Sequence, residues 1–222
     1  MGLNNLATVT SNSFEPFIIN GKPLKSINQY SNKIIAKYQR LLPDKQYSSN
    51  KINFLRYKRE MKVNDYLSKS AKYLVNYLVS QSIDVLVIGT NAGWKQNINI
   101  GKRNNQNFTN IPFYKFKNKL VYLCEEAGIK VIEQEESYTS KSSFLDNDPI
   151  PTYPNTAKIS FSGKRTCRGL YKSKNKTINA DVNGSLNILK KYLILNAAWN
   201  GNIFSNLVEA CSTPRKVTVT FN

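Results

Sequence analysis

Apolar and polar positions alternate over residues 6–10 (LATVT) and 16–20 (PFIIN), which predicts two short strands joined through Asn12 and Ser13. The Asn20-Gly21 turn signal closes this opening hairpin. From Ile27 the period lengthens to that of a helix, with Tyr30, Ile34, Tyr38 and Leu41 recurring until Pro43. Val63, Leu67, Ala71, Leu74 and Leu78 repeat the pattern, so two amphipathic helices are expected, hinged by the polar stretch 44–51. The run DVLVI at 84–88 reads as a strand, and a polar Gly/Asn/Lys-rich segment follows to Asn110. A further helix starts at Pro112, carries Phe113, Phe116, Leu120 and Leu123 on one face, and stops at Gly128. Strand 129–134 (IKVIEQ) completes a strand-helix-strand unit, whose right-handed crossover favours a parallel pair in an α/β sheet.

Periodicity dissolves between Ser137 and Lys176 into Ser, Pro, Asn and Lys, with one weak hairpin over 157–161 and 168–173, as in an inserted loop or small subdomain. The last helix is expected from Asp181 to Leu195, with Val182, Leu186, Leu189 and Leu193 inward. Asp181 in its first turn suits the positive end of the helix dipole. Residues 196–222 form a tail whose end, 216–221 (KVTVTF), alternates like a strand.

Composition adds a partner. A chain of 222 residues suits one domain, or one domain with an insertion, and 41% hydrophobic with 11% aromatic residues is too apolar for disorder throughout. Lys and Arg number 32 against 14 acids, a net charge of +18, which drives phosphate binding through counterion release and makes nucleic acid the first partner to consider. Seven of the fourteen acids fall between Glu125 and Asp148, so an acidic pocket beside a basic surface is expected, the combination a metal-dependent nuclease needs.

Cys124, Cys167 and Cys211 lie far apart and histidine is absent, which argues against a disulfide framework and against structural zinc, a metal that needs four N or S ligands. There is no apolar run of membrane-spanning length and no signal peptide pattern, so a cytoplasmic protein without membrane contact is expected.

Particular residues carry a resemblance. GLNNLATVT at 2–10, a long basic helix, GWKQ at 93–96, ESYTSK at 136–141 and NADVNGSLNIL at 179–189 stand in order along nearly the whole chain. Together they resemble the TnpB (OrfB-type) nucleases of transposons, relatives of the type V CRISPR effectors. The resemblance implies an RNase H-like (RuvC-type) α/β fold, a mixed sheet with flanking helices, here with the first strand missing and a loop-rich insertion in place of the zinc ribbon. It divides the chain into a core over 1–136, the insertion over 137–178, a final helix over 179–196 and a tail over 197–222.

The function implied is RNA-guided cleavage of DNA associated with transposition, with DNA and a guide RNA as partners and Mg²⁺ held by an Asp, a Glu and an Asp. The last Asp carries over to Asp181, supported by Asn183 and Asn187 in the matching pattern. The first would precede the GLNN-like stretch, before Met1-Gly2, and the place of the Glu is taken by Gly89 and Thr90. Glu135 or Glu136, ending the neighbouring strand, could supply a relocated carboxylate to the same metal; the alternative is that both are solvated charge. The family's zinc ribbon is matched only by Ser142, Ser143 and a lone Cys167, so zinc is not implied.

Arg56, Lys58, Arg59 and Lys62, and the cluster Trp94, Lys95, Lys102 and Arg103, are candidate phosphate contacts, with the indole able to stack on a base. The sequence is therefore read as an N-terminally truncated TnpB-like endonuclease with an incomplete two-metal site. A nuclease-dead nucleic-acid-binding protein and a decayed open reading frame are the alternatives.

Overall fold

The computed structural model describes residues 2, 4–90, 111–154, 159–167, 169–200 and 209–220. The hairpin forms as expected, β1 (Asn5–Val9) antiparallel to β2 (Phe17–Asn20). The sequence did not foresee that the tail returns to this sheet. β8 (Arg215–Val217) runs parallel to β2, giving the order β1-β2-β8. The strand expected over 216–221 thus forms earlier and shorter than its alternation indicated, and the Arg215 guanidinium lies over the rings of Phe17 and Tyr77, 5.7 and 5.8 Å from their centroids. Those rings belong to an edge-packed cluster with Phe14 and Tyr73.

Helix α1 (Lys22–Gln39) begins a full turn before the periodic stretch, because Pro23 in its first turn is already set for helical φ. Helix α2 (Asn50–Ser80) also starts early: the Ser49 side chain caps it by accepting from the Ile52 N–H at 3.3 Å. Its second half buries Val63, Tyr66, Leu67, Ser70, Ala71, Leu74, Val75 and Leu78, a stripe at helical spacing. Its first half buries Ile52 alone, so this end of the α1/α2 hairpin projects into solvent.

The strand-helix-strand unit is present. β3 (Val85–Thr90) pairs in parallel with β4 (Lys130–Glu135), from Val85 opposite Lys130 to Thr90 opposite Glu135, through helix α3 (Phe113–Glu126). Phe113, Phe116, Leu120 and Cys124 are the buried face of α3, and Gly128 leaves it at φ +73°.

The expected hairpin over 157–161 and 168–173 is corrected. The strands are β5 (Lys164–Cys167), β6 (Leu170–Lys172) and β7 (Thr177–Asn179), a three-stranded antiparallel sheet. Its alternation was obscured because β5 is exposed along its length and β6 and β7 bury one side chain each, Tyr171 and Ile178. These two join Phe144, Val182, Leu186 and Cys211 in a small core of their own. Helix α4 (Ala180–Leu195) leaves this sheet directly, with Asn179 as its cap accepting from the Asp181 and Val182 N–H groups.

Candidate functional site

β1 is bonded to β2 and β3 to β4, and among the described residues the two sheets share no ladder. The edges of β1 and β3 that have no ladder partner among the described residues line one cleft of about 1580 Å³. Apolar side chains enter it from both sides, Leu74, Leu78, Phe116 and Leu120 from α2 and α3 and Ile188, Leu189 and Leu193 from α4, among polar ones such as Gln81, Lys141 and Ser185. Helix α4 packs on β1, β3 and β4.

Asp181 lines this cleft from the first turn of α4. Its Oδ2 accepts from Asn5 Nδ2 at 2.6 Å, and Arg165 Nη2 stands 3.7 Å from Oδ1. Glu136 lines the same cleft from the end of β4. Its N–H gives the ladder a further rung, donated to the Thr90 carbonyl at 3.1 Å, and its carbonyl accepts from the Thr139 hydroxyl at 2.8 Å.

Glu135 is placed differently. One carboxylate oxygen accepts from the Ser137 N–H at 2.5 Å and the other from the nearly buried Lys191 ammonium. Burial raises its pKa, but the bonds from Lys191 and Ser137 outweigh that and hold the carboxyl below the usual range. The two adjacent acids, equivalent in the sequence, are thus divided: Glu135 is tied to Lys191, and Glu136 shares the cleft with Asp181.

Gly89 makes room for this arrangement. A Cβ there would stand 2.5 Å from Ile188 Cδ1 and 2.8 Å from Glu136 Oε2, so the residue that replaces the expected Glu leaves space for the neighbouring strand's carboxylate.

Asn183 and Asn187, one turn apart on α4, are both fully buried. Asn183 accepts from the Phe144 N–H at 3.0 Å and donates to the Ser142 carbonyl at 2.8 Å; Asn187 donates to the Thr139 and Ser142 carbonyls at 2.9 and 2.7 Å. The DVN-x-x-x-N spacing therefore clamps the loop that follows Glu136 onto the helix that carries Asp181. Lys190 and Lys191, which sequence reasoning did not single out, are also buried. Lys190 donates to the Asp148 carbonyl at 2.8 Å and faces the Trp199 ring, and burial lowers its pKa despite Asp148 nearby. The signal available was their position on the inward half of a helix already read as amphipathic.

The acids between Glu125 and Asp148 do not gather into one pocket. Glu133 pairs with Lys117 at 2.8 Å, and Glu126 accepts from Tyr122. Asp146 and Asp148 are held by Ser143, Ser162 and the Lys174 N–H. Ser142 and Ser143, at the expected ribbon position, are buried within that network, whereas Cys167 is exposed. Among the described residues no group of three or more His, Cys, Asp or Glu side chains could hold a metal ion. Asp181 and Glu136 therefore do not by themselves fit a two-metal centre, which needs more carboxylate oxygens.

Of the expected phosphate contacts, Arg56, Lys58 and Lys62 are exposed on the projecting half of α2. Arg59 is turned inward, its Nε donating to Asn28 Oδ1 at 2.7 Å. Trp94, Lys95, Lys102 and Arg103 lie outside the described residues.

Two family models match consecutive stretches of the chain. Residues 1–95 match OrfB_IS605, described as "Probable transposase", and residues 113–188 match the Cas12f1-like TNB domain. The chain belongs to the TnpB/OrfB family. Among solved structures, this TnpB-family chain is similar to the protein in the Cas12f1-sgRNA-target DNA complex, at 19% identity and a TM-score of 0.55, over 84% of this chain and 47% of that one. It is similar also to the CRISPR-Cas12f ternary complex, at 18% identity and a TM-score of 0.61, over 85% of this chain and 37% of that one. The chain thus shares their mixed α/β fold and spans less than half the length of either. No curated protein matches it. No described helix is long and apolar enough to cross a membrane.

Proposed function

We propose that this chain is the RuvC-like, RNase H-like part of a transposon-encoded, RNA-guided DNA endonuclease, with its first strand still to be supplied at the cleft between β1 and β3. The observation that carries the reading is the cleft itself: two strand edges without a ladder partner among the described residues face it, apolar side chains of α2, α3 and α4 enter it, and Asp181 and Glu136 line it. A strand seated there would complete the ladder and could bring the further carboxylate that a Mg²⁺ centre needs. The 222 residues alone have negligible Mg²⁺-dependent nuclease activity on this reading. A bound metal would supply activation of water and stabilisation of the leaving oxygen, with Asp181 and Glu136 as oxygen donors. DNA and guide RNA, which the similar Cas12f1 structure contains, are the partners proposed here as well.

The test is cleavage of a DNA target after restoring a preceding strand with its Asp, the family's N-terminal nucleic-acid-binding region and a guide RNA. Glu136→Gln should abolish the restored activity as completely as Asp181→Asn, because each keeps shape and removes charge. Robust cleavage by the unmodified 222 residues overturns the incomplete-site reading. Restored cleavage that tolerates Glu136→Gln overturns the ligand assignment.

A further inference from the structure

The outer end of the α1/α2 hairpin carries large rings where a folded domain usually hides them. Tyr47 in the connection is 79% exposed and Tyr57 on α2 is 59% exposed. Phe54, Tyr57, Lys58 and Met61 follow at i, i+3, i+4 and i+7, which puts them on one face of the projecting half of α2. The cation of Lys58 lies 5.1 Å from the Phe54 ring centroid, and that of Lys51 lies 6.0 Å from the Tyr38 ring. Arg56 holds the base of the connection through Ser48 Oγ and Asn53 Oδ1, at 3.2 and 3.4 Å. The rings are therefore presented on a bonded scaffold.

Charge selects the occupant. Between residues 45 and 63 the sole acid is Glu60, and Lys115 of α3 neutralises it at 2.9 Å. A second copy would bring the same positive charge to the contact and be repelled. A polyanion with flat apolar faces satisfies both the cations and the rings.

We infer that the exposed aromatic and basic face formed by Tyr47, Phe54 and Tyr57 with Lys51 and Lys58 is a stacking platform for unpaired nucleotides of a single-stranded nucleic acid. The bases lie on the rings and the lysines contact the flanking phosphates, so recognition is of single-strandedness and is tolerant of sequence. The inference rests on nucleic acid being the partner and does not require a completed metal centre.

The experiment uses the chain as it is, with a short iodouracil-substituted single-stranded oligonucleotide and a duplex of matching length, titrated across salt and then photo-crosslinked. Crosslinks should map to Tyr47 or Tyr57. Tyr57→Ala and Tyr47→Ala should each weaken single-strand binding by about tenfold, with duplex binding and the salt slope unchanged, and Tyr57→Phe should retain affinity. Lys51→Gln with Lys58→Gln should instead reduce the salt slope. Single-strand affinity that survives both alanine substitutions, without crosslinks to either ring, overturns the platform and leaves the stripe to another occupant such as an acidic protein helix. No binding of any oligonucleotide by the wild-type chain at low salt overturns the nucleic-acid reading beneath it, a failure distinguishable from that of the platform alone.

Discussion

Lys191, almost wholly buried on α4, donates to the carboxylate of Glu135 at the end of β4 and also to the Pro151 carbonyl at 3.2 Å. The pair is unequal, since Glu135 keeps access to water and Lys191 does not. Glu135→Gln, which leaves a buried ammonium without its counter-charge, should cost about 3 kcal/mol, whereas Lys191→Met lets the carboxylate resolvate and should cost about 1 kcal/mol. Urea unfolding of the two variants and their combination measures this. Equal losses would show that Lys191 is hydrated in solution.

Acid should loosen the same region. Glu135 and Asp146 both have carboxyls below their usual range: burial pushes each up, and hydrogen bonds from Lys191 and Ser137, and from Ser143, Ser162 and Lys174, push them down further. A depressed folded pKa means stability present above the unfolded value and lost as pH falls through the folded one. Unfolding free energy should therefore decline as pH drops below the ordinary carboxylate values of 4.5 and 3.8. Glu135→Gln and Asp146→Asn should each flatten that decline, and an unchanged slope in both variants would contradict the assignment.

Asn183→Ala should destabilise the chain by about 3 kcal/mol, because it strands both the Phe144 N–H and one bond to the Ser142 carbonyl inside the protein. Hydrogen exchange at Phe144 is the direct readout. Protection equal to that of the wild type would exclude the clamp.

Gly89→Ala separates stability from site geometry. The added methyl meets Ile188 Cδ1 and Cγ1 and the Glu136 carboxylate, so the fold should lose about 1–3 kcal/mol while the Glu136 carboxylate is displaced. In the strand-restored nuclease the substitution should lower cleavage at least tenfold. Full activity would place Glu136 away from the reacting centre.

Periodicity was legible wherever an element buries one face: the opening hairpin, the second half of α2, α3, the β3/β4 unit and α4. It was silent where the face is exposed, as along β5; at the tail it marked a strand over 216–221 but could not show that Arg215–Val217 pairs with β2. Of the candidate site, Asp181 could be picked out by motif, and Asn183 and Asn187 by spacing. The division of labour between Glu135 and Glu136 could not, because it depends on a lysine 56 residues away in the chain. The Asp146 and Asp148 network was hidden for the same reason: its partners, Ser162 and Lys174, come from distant turns of an aperiodic segment.

The bare edges of β1 and β3 also govern how the protein behaves at the bench. Among the described residues these edges have no ladder partner, although the Ser185 hydroxyl donates to the Thr8 carbonyl of β1 at 3.2 Å; strand edges of this kind are templates for another chain, and mutual repulsion at a net charge of +18 opposes that pairing. Salt that screens this repulsion, or a polyanion that neutralises it before the cleft is filled, removes the barrier to edge-to-edge growth. High salt, the condition chosen to strip nucleic acid from such a chain, is therefore the one in which it should precipitate.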